Sequence, residues 1–226
     1  SLSLTSAEML RTPQFYALWF MYAAGALAGL MVIGNIALFG IDSLSAAGMD
    51  PTTAKAKASL AMAVFFAIAN AAGRIVWGSV SDRIGRKPSL FCLFLFQGIM
   101  LLLFFSMGNK ESLFYLGALL IGFNFGGNFA LFPAATADYF GNKTVGLNYG
   151  WVFTAYGVGG IIGPILAGHF KDQVATAGLT AWQTPFMVAG ILCLAASILA
   201  LILKTPESKV RAFQTEKIPG LSGAFR

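Results

Sequence analysis

Six long stretches almost free of charge constrain this 226-residue chain more than any other feature. Cutting the sequence at its Asp, Glu, Lys and Arg residues leaves windows that each suffice for a membrane-spanning helix, which needs roughly 20 residues. The sequence therefore predicts an all-α membrane protein with six transmembrane helices. The windows are 12–41, 58–81 (one charge, Arg74), 88–109, 112–137, 144–170 and 173–203.

The composition agrees with a bilayer protein, because 57% of the residues are hydrophobic and only 11% are charged. Soluble domains carry about a quarter charged residues. The net charge of +6 does not indicate nucleic-acid binding, since the cations lie in connectors and near the end of the chain. Cys92 and Cys193 fall in mid-window, where cysteine behaves as a small apolar residue. We expect no metal site and no cofactor.

The second window contains two polar residues, Asn70 and Arg74, which share one face of a helix because they are four apart. A charge within a span costs about 2.5–3.5 kcal/mol on insertion scales and usually marks a substrate pathway. A guanidinium also matches the planar shape of a carboxylate. We predict that Arg74 binds the substrate and that Asn70 orients the guanidinium or the substrate. The alternatives are that Arg74 snorkels to the membrane surface near Val80 and that Asn70 makes only an interhelical hydrogen bond.

Aromatic residues repeat at helical spacing in the fourth and fifth windows. Phe125 and Phe129 share one face, and Phe153 and Tyr156 lie on a common stripe with Tyr149. We predict that Phe125, Phe129, Phe153 and Tyr156 line a cavity. Ordinary helix packing is the alternative.

A short cationic connector, 81–88, follows the second window and fits the pattern G-x-x-x-D-R-x-G-R-K. Gly85 permits a tight turn, and Asp82 can cap a helix or pair with an arginine. We predict a conformational hinge, against the alternative of a loop that only sets topology. Its residues are Gly78, Asp82, Arg83, Gly85, Arg86 and Lys87.

Lysine and arginine counts predict the orientation, since cytoplasmic loops carry the excess. Ten of these residues lie on the side of the hinge and of both chain ends, and four lie on the other. We therefore expect a multi-pass protein of the cell (inner) membrane with both termini cytoplasmic. Residues 1–204 form the predicted bundle and 205–226 a basic cytoplasmic tail. The chain starts at Ser1 without a signal peptide, as expected of a fragment.

The connector pattern closely resembles the loop signature of the major facilitator superfamily, found between the second and third helices of either six-helix half. The fifth window adds Gly159-x-x-x-Gly163-Pro164, similar to a weaker superfamily motif of antiporters, but with Ala167 where the family has glycine. The resemblance implies one half of a twelve-helix fold, built from two six-helix bundles around a midplane cavity.

Several short stretches of the sequence resemble the oxalate/formate antiporter family. The matching stretches are 10–16 with Trp19, 25–31, 137–141, 148–150 and 153–157. This resemblance implies helices seven to twelve, with an N-terminal six-helix half as partner. In this family and in monocarboxylate transporters, an eighth-helix arginine meets the anionic substrate, and Arg74 matches it. The oxalate exchanger has a lysine on helix eleven at the position that looks like Tyr156.

These observations predict a secondary active transporter of small organic carboxylates working by alternating access, with Arg74 pairing the carboxylate. A monocarboxylate such as lactate or formate is the first choice, and a proton is a candidate co-substrate. Symport, antiport and uniport stay open. The alternatives are an oxalate/formate exchanger and, ranked lower, a membrane scaffold. An enzyme is not expected, since no G-x-S-x-G occurs and the lone His169 lies at a span end. Nothing resembles a channel filter.

Overall fold

The computed structural model describes residues 3–204, except the side chain of residue 175, and this range contains helices and no strand. Six helices of membrane length confirm the predicted spans. One helical turn, Ser6–Met9, precedes them, and a 3-10 turn, Gly178–Trp182, precedes the last. The predicted tail, 205–226, lies outside the described residues. The helices are α1 (Pro13–Ala46), α2 (Pro51–Ile84), α3 (Arg86–Met107), α4 (Glu111–Phe140), α5 (Val145–Ala177) and α6 (Gln183–Ile202).

Four of the six helices, α1, α2, α4 and α5, are longer than their apolar windows, and the polar segments that follow α1 and α5 are partly helical for this reason. The predicted loop 42–57 shrinks to residues 47–50, where the Asp50 carboxylate accepts a hydrogen bond from the Thr53 amide at 3.0 Å. The fifth helix likewise runs past its window, which ends at residue 170, as far as Ala177. Polar residues beyond the hydrocarbon core meet water and headgroups, so they can continue a helix that hydropathy alone would end.

The predicted connector 81–88 is also shorter than expected. Because α2 continues to Ile84 and α3 begins at Arg86, only Gly85 lies outside the two helices. Gly85 has φ +91°, a conformation that L side chains rarely adopt. The turn is therefore a single glycine between two helices.

Three helix pairs account for most of the packing: α1 with α5, α2 with α4, and α3 with α6. In its most apolar stretch α1 is 67% buried, whereas α2 is 22% and α5 is 28% buried. The helix α3 is 44% buried there because one face packs on α4 and α6. The open face of the bundle therefore lies along α2 and α5.

Glycines bring α2 and α4 into backbone contact. A Cβ atom added to Gly73 would lie 1.9 Å from the backbone oxygen of Phe123, and one on Gly126 would lie 2.0 Å from that of Asn70. Only glycine fits at such separations, and small residues are what lets membrane helices approach closely. This contact sets the position of the polar segment of α2.

The segment before α1 is attached to the connection between α4 and α5. The Leu4 amide donates to the Phe140 carbonyl at 2.8 Å, and the buried Asn148 amide donates to the Leu4 carbonyl at 2.9 Å. The Ser6 hydroxyl donates to the Asn148 side-chain oxygen at 2.9 Å. The start of α1 is thereby held against the same end of the bundle as the α4–α5 turn.

Candidate functional site

The polar pair of α2 forms a small hydrogen-bonded unit. The Arg74 Nε and Nη2 groups donate to the Asn70 side-chain oxygen at 3.3 and 3.1 Å. The Asn70 amide nitrogen in turn donates to the Gly122 carbonyl of α4 at 3.4 Å. Asn70 therefore links the guanidinium to the α4 backbone. The interhelical hydrogen bond that was the alternative is present, and an orienting role in substrate binding stays a prediction.

Arg74 has no carboxylate partner among residues 3–204. The ion pairs found in that range join Lys57 to Glu111 and Arg86 to both Asp82 and Asp138. A cation that is held in a membrane span without an anion nearby is energetically unfavourable unless a ligand or a second protein surface supplies the counter-charge.

The Arg74 guanidinium lies against an α4 ring, although the residue is exposed on the open face. Its Cζ atom lies 4.4 Å from the centroid of the Phe129 ring, within the range of a cation–π contact. Its hydrogen bonds lead back to Asn70, one turn away in the direction opposite to Val80. The side chain therefore does not adopt the snorkelling geometry that was the alternative interpretation.

A cleft of about 330 Å³ surrounds this guanidinium on the open face. Residues from α1, α2, α4 and α5 line it, so four of the six helices contribute. Five of the predicted site residues come together here. The lining residues are Ile33, Met62, Phe66, Ala67, Asn70, Arg74, Phe125, Phe129 and Tyr156.

Phe153 does not line the cleft directly, but it supports one of the residues that do. Its ring stacks on Tyr156 with centroids 5.1 Å apart and an interplanar angle of 9°. Tyr156 also contacts Phe129, at 5.5 Å between centroids. The predicted aromatic stripe of α5 thus forms a wall facing Arg74, and its role in binding stays a prediction.

Sequence reasoning missed Tyr22, a fully buried residue of α1 behind this wall. Its ring stacks on Phe132 with centroids 4.1 Å apart, and its hydroxyl lies 3.1 Å from that of Tyr149. Its ring also contacts Phe153 and Tyr156, each with centroids 5.9 Å away. A tyrosine deep in an apolar window, away from the interfaces where tyrosine is enriched, was the available signal.

Sequence reasoning also missed the π-helical segment Ala61–Phe66 that interrupts α2 one turn before Asn70. Two of its residues, Met62 and Phe66, line the cleft. Segments of this kind occur frequently at functional sites, but residue spacing does not reveal them because they add a single residue to a helical turn.

Two of the six predicted hinge residues, Asp82 and Arg86, belong to a network at one end of α2. The Arg86 guanidinium pairs with Asp82 at 2.8 Å and with Asp138 of α4 at 2.6 Å, and it also donates to the Ser81 hydroxyl. Arg83 is exposed and Lys87 is half-buried. Gly78 lies within α2, where an added Cβ would make an ordinary 3.6 Å contact with Ala130. The network ties the single-glycine turn to α4, and a hinge role stays a prediction.

Comparison with known families decides the classification. A family model described as Major Facilitator Superfamily matches residues 18–225, which is most of the chain. The chain belongs to the major facilitator superfamily. This membership, together with six helices of membrane length, makes it a multi-pass membrane protein of a transporter family.

Relatives within the superfamily include three curated proteins. The chain is 32% identical to the oxalate:formate antiporter of Oxalobacter formigenes over 86% of this chain and 43% of that protein. It is 31% identical to the uncharacterized MFS-type transporter YhjX of Escherichia coli (strain K12), over 70% of this chain and 37% of that protein. It is 27% identical to apicoplast pyruvate carrier 1 of Toxoplasma gondii, over 80% of this chain and 33% of that protein. The chain spans less than half the length of each.

A solved structure supports the fold. The crystal structure of an auto-inhibited peptide transporter of the POT family superposes with a TM-score of 0.69, at 17% identity, over 86% of this chain and 39% of that one. At this identity the likeness shows the fold alone. The all-α architecture of the described residues is that of one half of a major facilitator fold, as the sequence predicted.

Proposed function

We propose that this chain is the C-terminal half of a secondary active transporter of small organic carboxylates, with monocarboxylates such as lactate, formate or pyruvate preferred. The observation that carries the proposal is Arg74, an ion with no carboxylate partner among the described residues, which Asn70 holds at an open, aromatic-lined cleft. The relatives named for oxalate, formate and pyruvate support a carboxylate substrate.

The free edge of the Arg74 guanidinium fits this role. A guanidinium has five N–H donors, of which Nε–H and one on Nη2 are directed to Asn70. The Nη1 hydrogens and the second on Nη2 stay available, and together they can bind both oxygens of one carboxylate. Phe129 and Tyr156 line the cleft beside Arg74 and offer apolar surface to the rest of a small carboxylate.

The open face along α2 and α5 supports an N-terminal six-helix half as partner. That face carries Arg74 and is the least buried part of the bundle. The relatives are more than twice as long as their matched parts, which leaves room for the partner half. Access would alternate as the halves rock, with the network of Arg86, Asp82 and Asp138 acting at the hinge, and a proton is a candidate co-substrate.

Oxalate/formate exchange is the second candidate, favoured by the 32% identity to the oxalate:formate antiporter. Oxalate carries two negative charges, while the lining of the cleft holds one cation, Arg74, with Tyr156 on the opposite wall. An uncompensated charge in a low-dielectric cavity costs several kcal/mol. The monocarboxylate assignment therefore ranks first for this half.

Transport by the purified full-length protein in liposomes tests the proposal. We expect counterflow of labelled formate, lactate or pyruvate that unlabelled monocarboxylates inhibit and acetamide, a neutral analogue, does not. The matched control is Lys171→Gln, which removes an exposed cation far from Arg74 in sequence and should leave transport unchanged. Equal inhibition by acetamide would show that carboxylate charge is not recognised.

The proposed orientation, with both termini and the Arg86 end cytoplasmic in the inner membrane, needs a separate test. Asn142 and Asn109 are exposed residues in turns at opposite ends of α4. A cysteine introduced at Asn142 should react with membrane-impermeant reagents only after the cells are opened. A cysteine introduced at Asn109 should react with the same reagents in intact cells. Labelling of both from the same side would overturn the six-span topology.

A further inference from the structure

A second cleft lies between the start of α1 and the end of α6. It encloses about 300 Å³ and is lined by Pro13, Gln14 and Ala17 of α1 and by Ile202, Leu203 and Lys204, with Leu199 behind them. None of these residues lines the cleft at Arg74. The second cleft is therefore a separate feature that the transport proposal does not use.

The walls of this α1–α6 cleft are apolar and its mouth is cationic. Most of the lining residues are apolar, and Lys204 is exposed at one edge. Arg11 is also exposed, two residues before Pro13 at the same end of the bundle. Among residues 3–204, no Asp or Glu belongs to the lining. An apolar slot with positive charge at its mouth complements a molecule with an anionic head and an apolar tail.

The position of the α1–α6 cleft suits a lipid. Both helices are of membrane length, and the cleft lies where α1 begins and α6 ends, which is headgroup level in a bilayer. Ile202 is 65% exposed beside it, so the slot opens toward the surroundings of the bundle. Basic pockets between membrane helices are known to hold anionic lipid headgroups.

We propose that the α1–α6 cleft binds one anionic phospholipid. An acyl chain lies between Ala17 and Leu203, and the headgroup phosphate is held by Lys204 with Arg11 nearby. This lipid would fill the seam between the first and last helices of the bundle and fix the end of α6. The site goes beyond the carboxylate transport proposal and does not depend on it.

Native mass spectrometry of the purified full-length protein tests this site, with phosphatidylglycerol and phosphatidylcholine of identical acyl chains as probes. We expect the protein to retain one more phosphatidylglycerol than phosphatidylcholine, and phosphatidylglycerol alone to raise its unfolding temperature. Lys204→Gln should lower phosphatidylglycerol retention about fivefold, the effect of one cation at a membrane surface. Ala17→Trp, which fills the slot, should remove that lipid.

Two matched controls separate the site from general lipid adhesion. Lys171→Gln removes an exposed lysine near the far end of α5, and Leu201→Trp adds the same ring at an exposed position outside the lining. Both control variants should retain the additional phosphatidylglycerol. If the unmodified protein retains both lipids equally and neither raises its unfolding temperature, the proposal is wrong, whatever the variants do.

Two further outcomes would also overturn the proposal. Retention unchanged in a folded Ala17→Trp protein would place the lipid elsewhere. Phosphatidylglycerol binding that appears only after residues 205–226 are deleted would show that the end of the chain, rather than a lipid, occupies the cleft.

Discussion

Backbone contacts with α4 fix the α2 wall of the Arg74 cleft at Asn70, whereas Tyr156 on the α5 wall meets its neighbours through its ring. On α2, Asn70 donates to a main-chain carbonyl of α4, and Gly126 leaves no room for a Cβ atom against the Asn70 backbone. On α5, Tyr156 is placed by its contacts with Phe153 and Phe129. On the cleft side of α5, Gly157 has no neighbour within 4 Å of an added Cβ, although Gly159 meets the α1 backbone at 2.7 Å.

This difference separates two properties of the site. The position of the charge follows from the backbone of two helices, so substitutions that disturb it should disturb the fold as well. The aromatic surface of the α5 wall is formed by side chains. Single substitutions of these rings should therefore change which anion is preferred while the six-helix bundle stays folded. Each of the following experiments acts on one of the two walls.

The largest expected effect is that of Gly126→Ala on the α2 wall. The new Cβ would lie 2.0 Å from the Asn70 backbone oxygen, and neither backbone can move without separating α2 from α4. We expect a loss of stability of about 3 kcal/mol, the upper part of the range for overpacked cores, together with loss of substrate binding. Thermal unfolding and ligand binding of the full-length protein measure both.

The matched control for Gly126→Ala is Gly157→Ala on the α5 wall, where the added Cβ meets nothing within 4 Å. Alanine in a helix should there leave stability unchanged or raise it by about 0.5–1 kcal/mol. Equal effects of the two substitutions would show that the walls do not differ as described.

Arg74→Lys should have the next largest effect and should act on binding rather than folding. Lysine keeps the charge but loses the planar edge and the bonds to Asn70, and charge-assisted hydrogen bonds are worth roughly 1.5–3 kcal/mol. We expect monocarboxylate affinity to fall about ten- to a hundredfold, with little change in unfolding temperature. Parental affinity in the lysine variant would show that Arg74 does not bind the substrate.

On the α5 wall, Tyr156→Lys should change selectivity. A dianion brings a surplus negative charge beside Arg74, and a lysine on the facing wall compensates it. We expect the ratio of oxalate to lactate affinity to rise at least about tenfold, as one added charge-assisted bond implies. Competition binding on the full-length protein measures the ratio.

The control for Tyr156→Lys is Tyr156→Phe, which keeps the ring and adds no charge and should leave the ratio near its parental value. Oxalate that binds better than lactate to the unmodified protein would reject the monocarboxylate assignment and favour the exchanger.

The residues that could be predicted from the sequence are those whose placement depends on one helix at a time. The charge-free windows predicted six helices because a bilayer demands about 20 apolar residues per span. Four-residue spacing placed Asn70 and Arg74 together because that separation is one turn of a helix. Both predictions needed no knowledge of a neighbouring helix.

The individual contacts between helices escaped prediction. Which glycine faces which carbonyl, as with Gly126 and Asn70, follows from the register between α2 and α4. The contact of Tyr22 with the α5 aromatics follows from the approach of α1 to α5. Helix ends were misjudged as well, because the polar residues beyond Phe170 lie at the membrane surface, where a helix continues without apolar side chains.

Tyr22→Phe should have the smallest effect and should show how much the buried Tyr22, behind the aromatic residues, supports the α5 wall. The substitution keeps the ring that stacks on Phe132 and removes only the hydroxyl that meets Tyr149. Since Tyr149 is half-buried, its hydroxyl can find water, so we expect a loss of only about 1 kcal/mol in stability. Affinity should fall less than about fivefold, because Tyr22 does not line the cleft. Tyr16→Phe, at a tyrosine that is 60% exposed, is the control and should change neither quantity. A loss of affinity in Tyr22→Phe as large as that in Arg74→Lys would mean that the hydroxyl pair itself contacts the substrate, and the α5 wall would then bind it through a polar group as the α2 wall does.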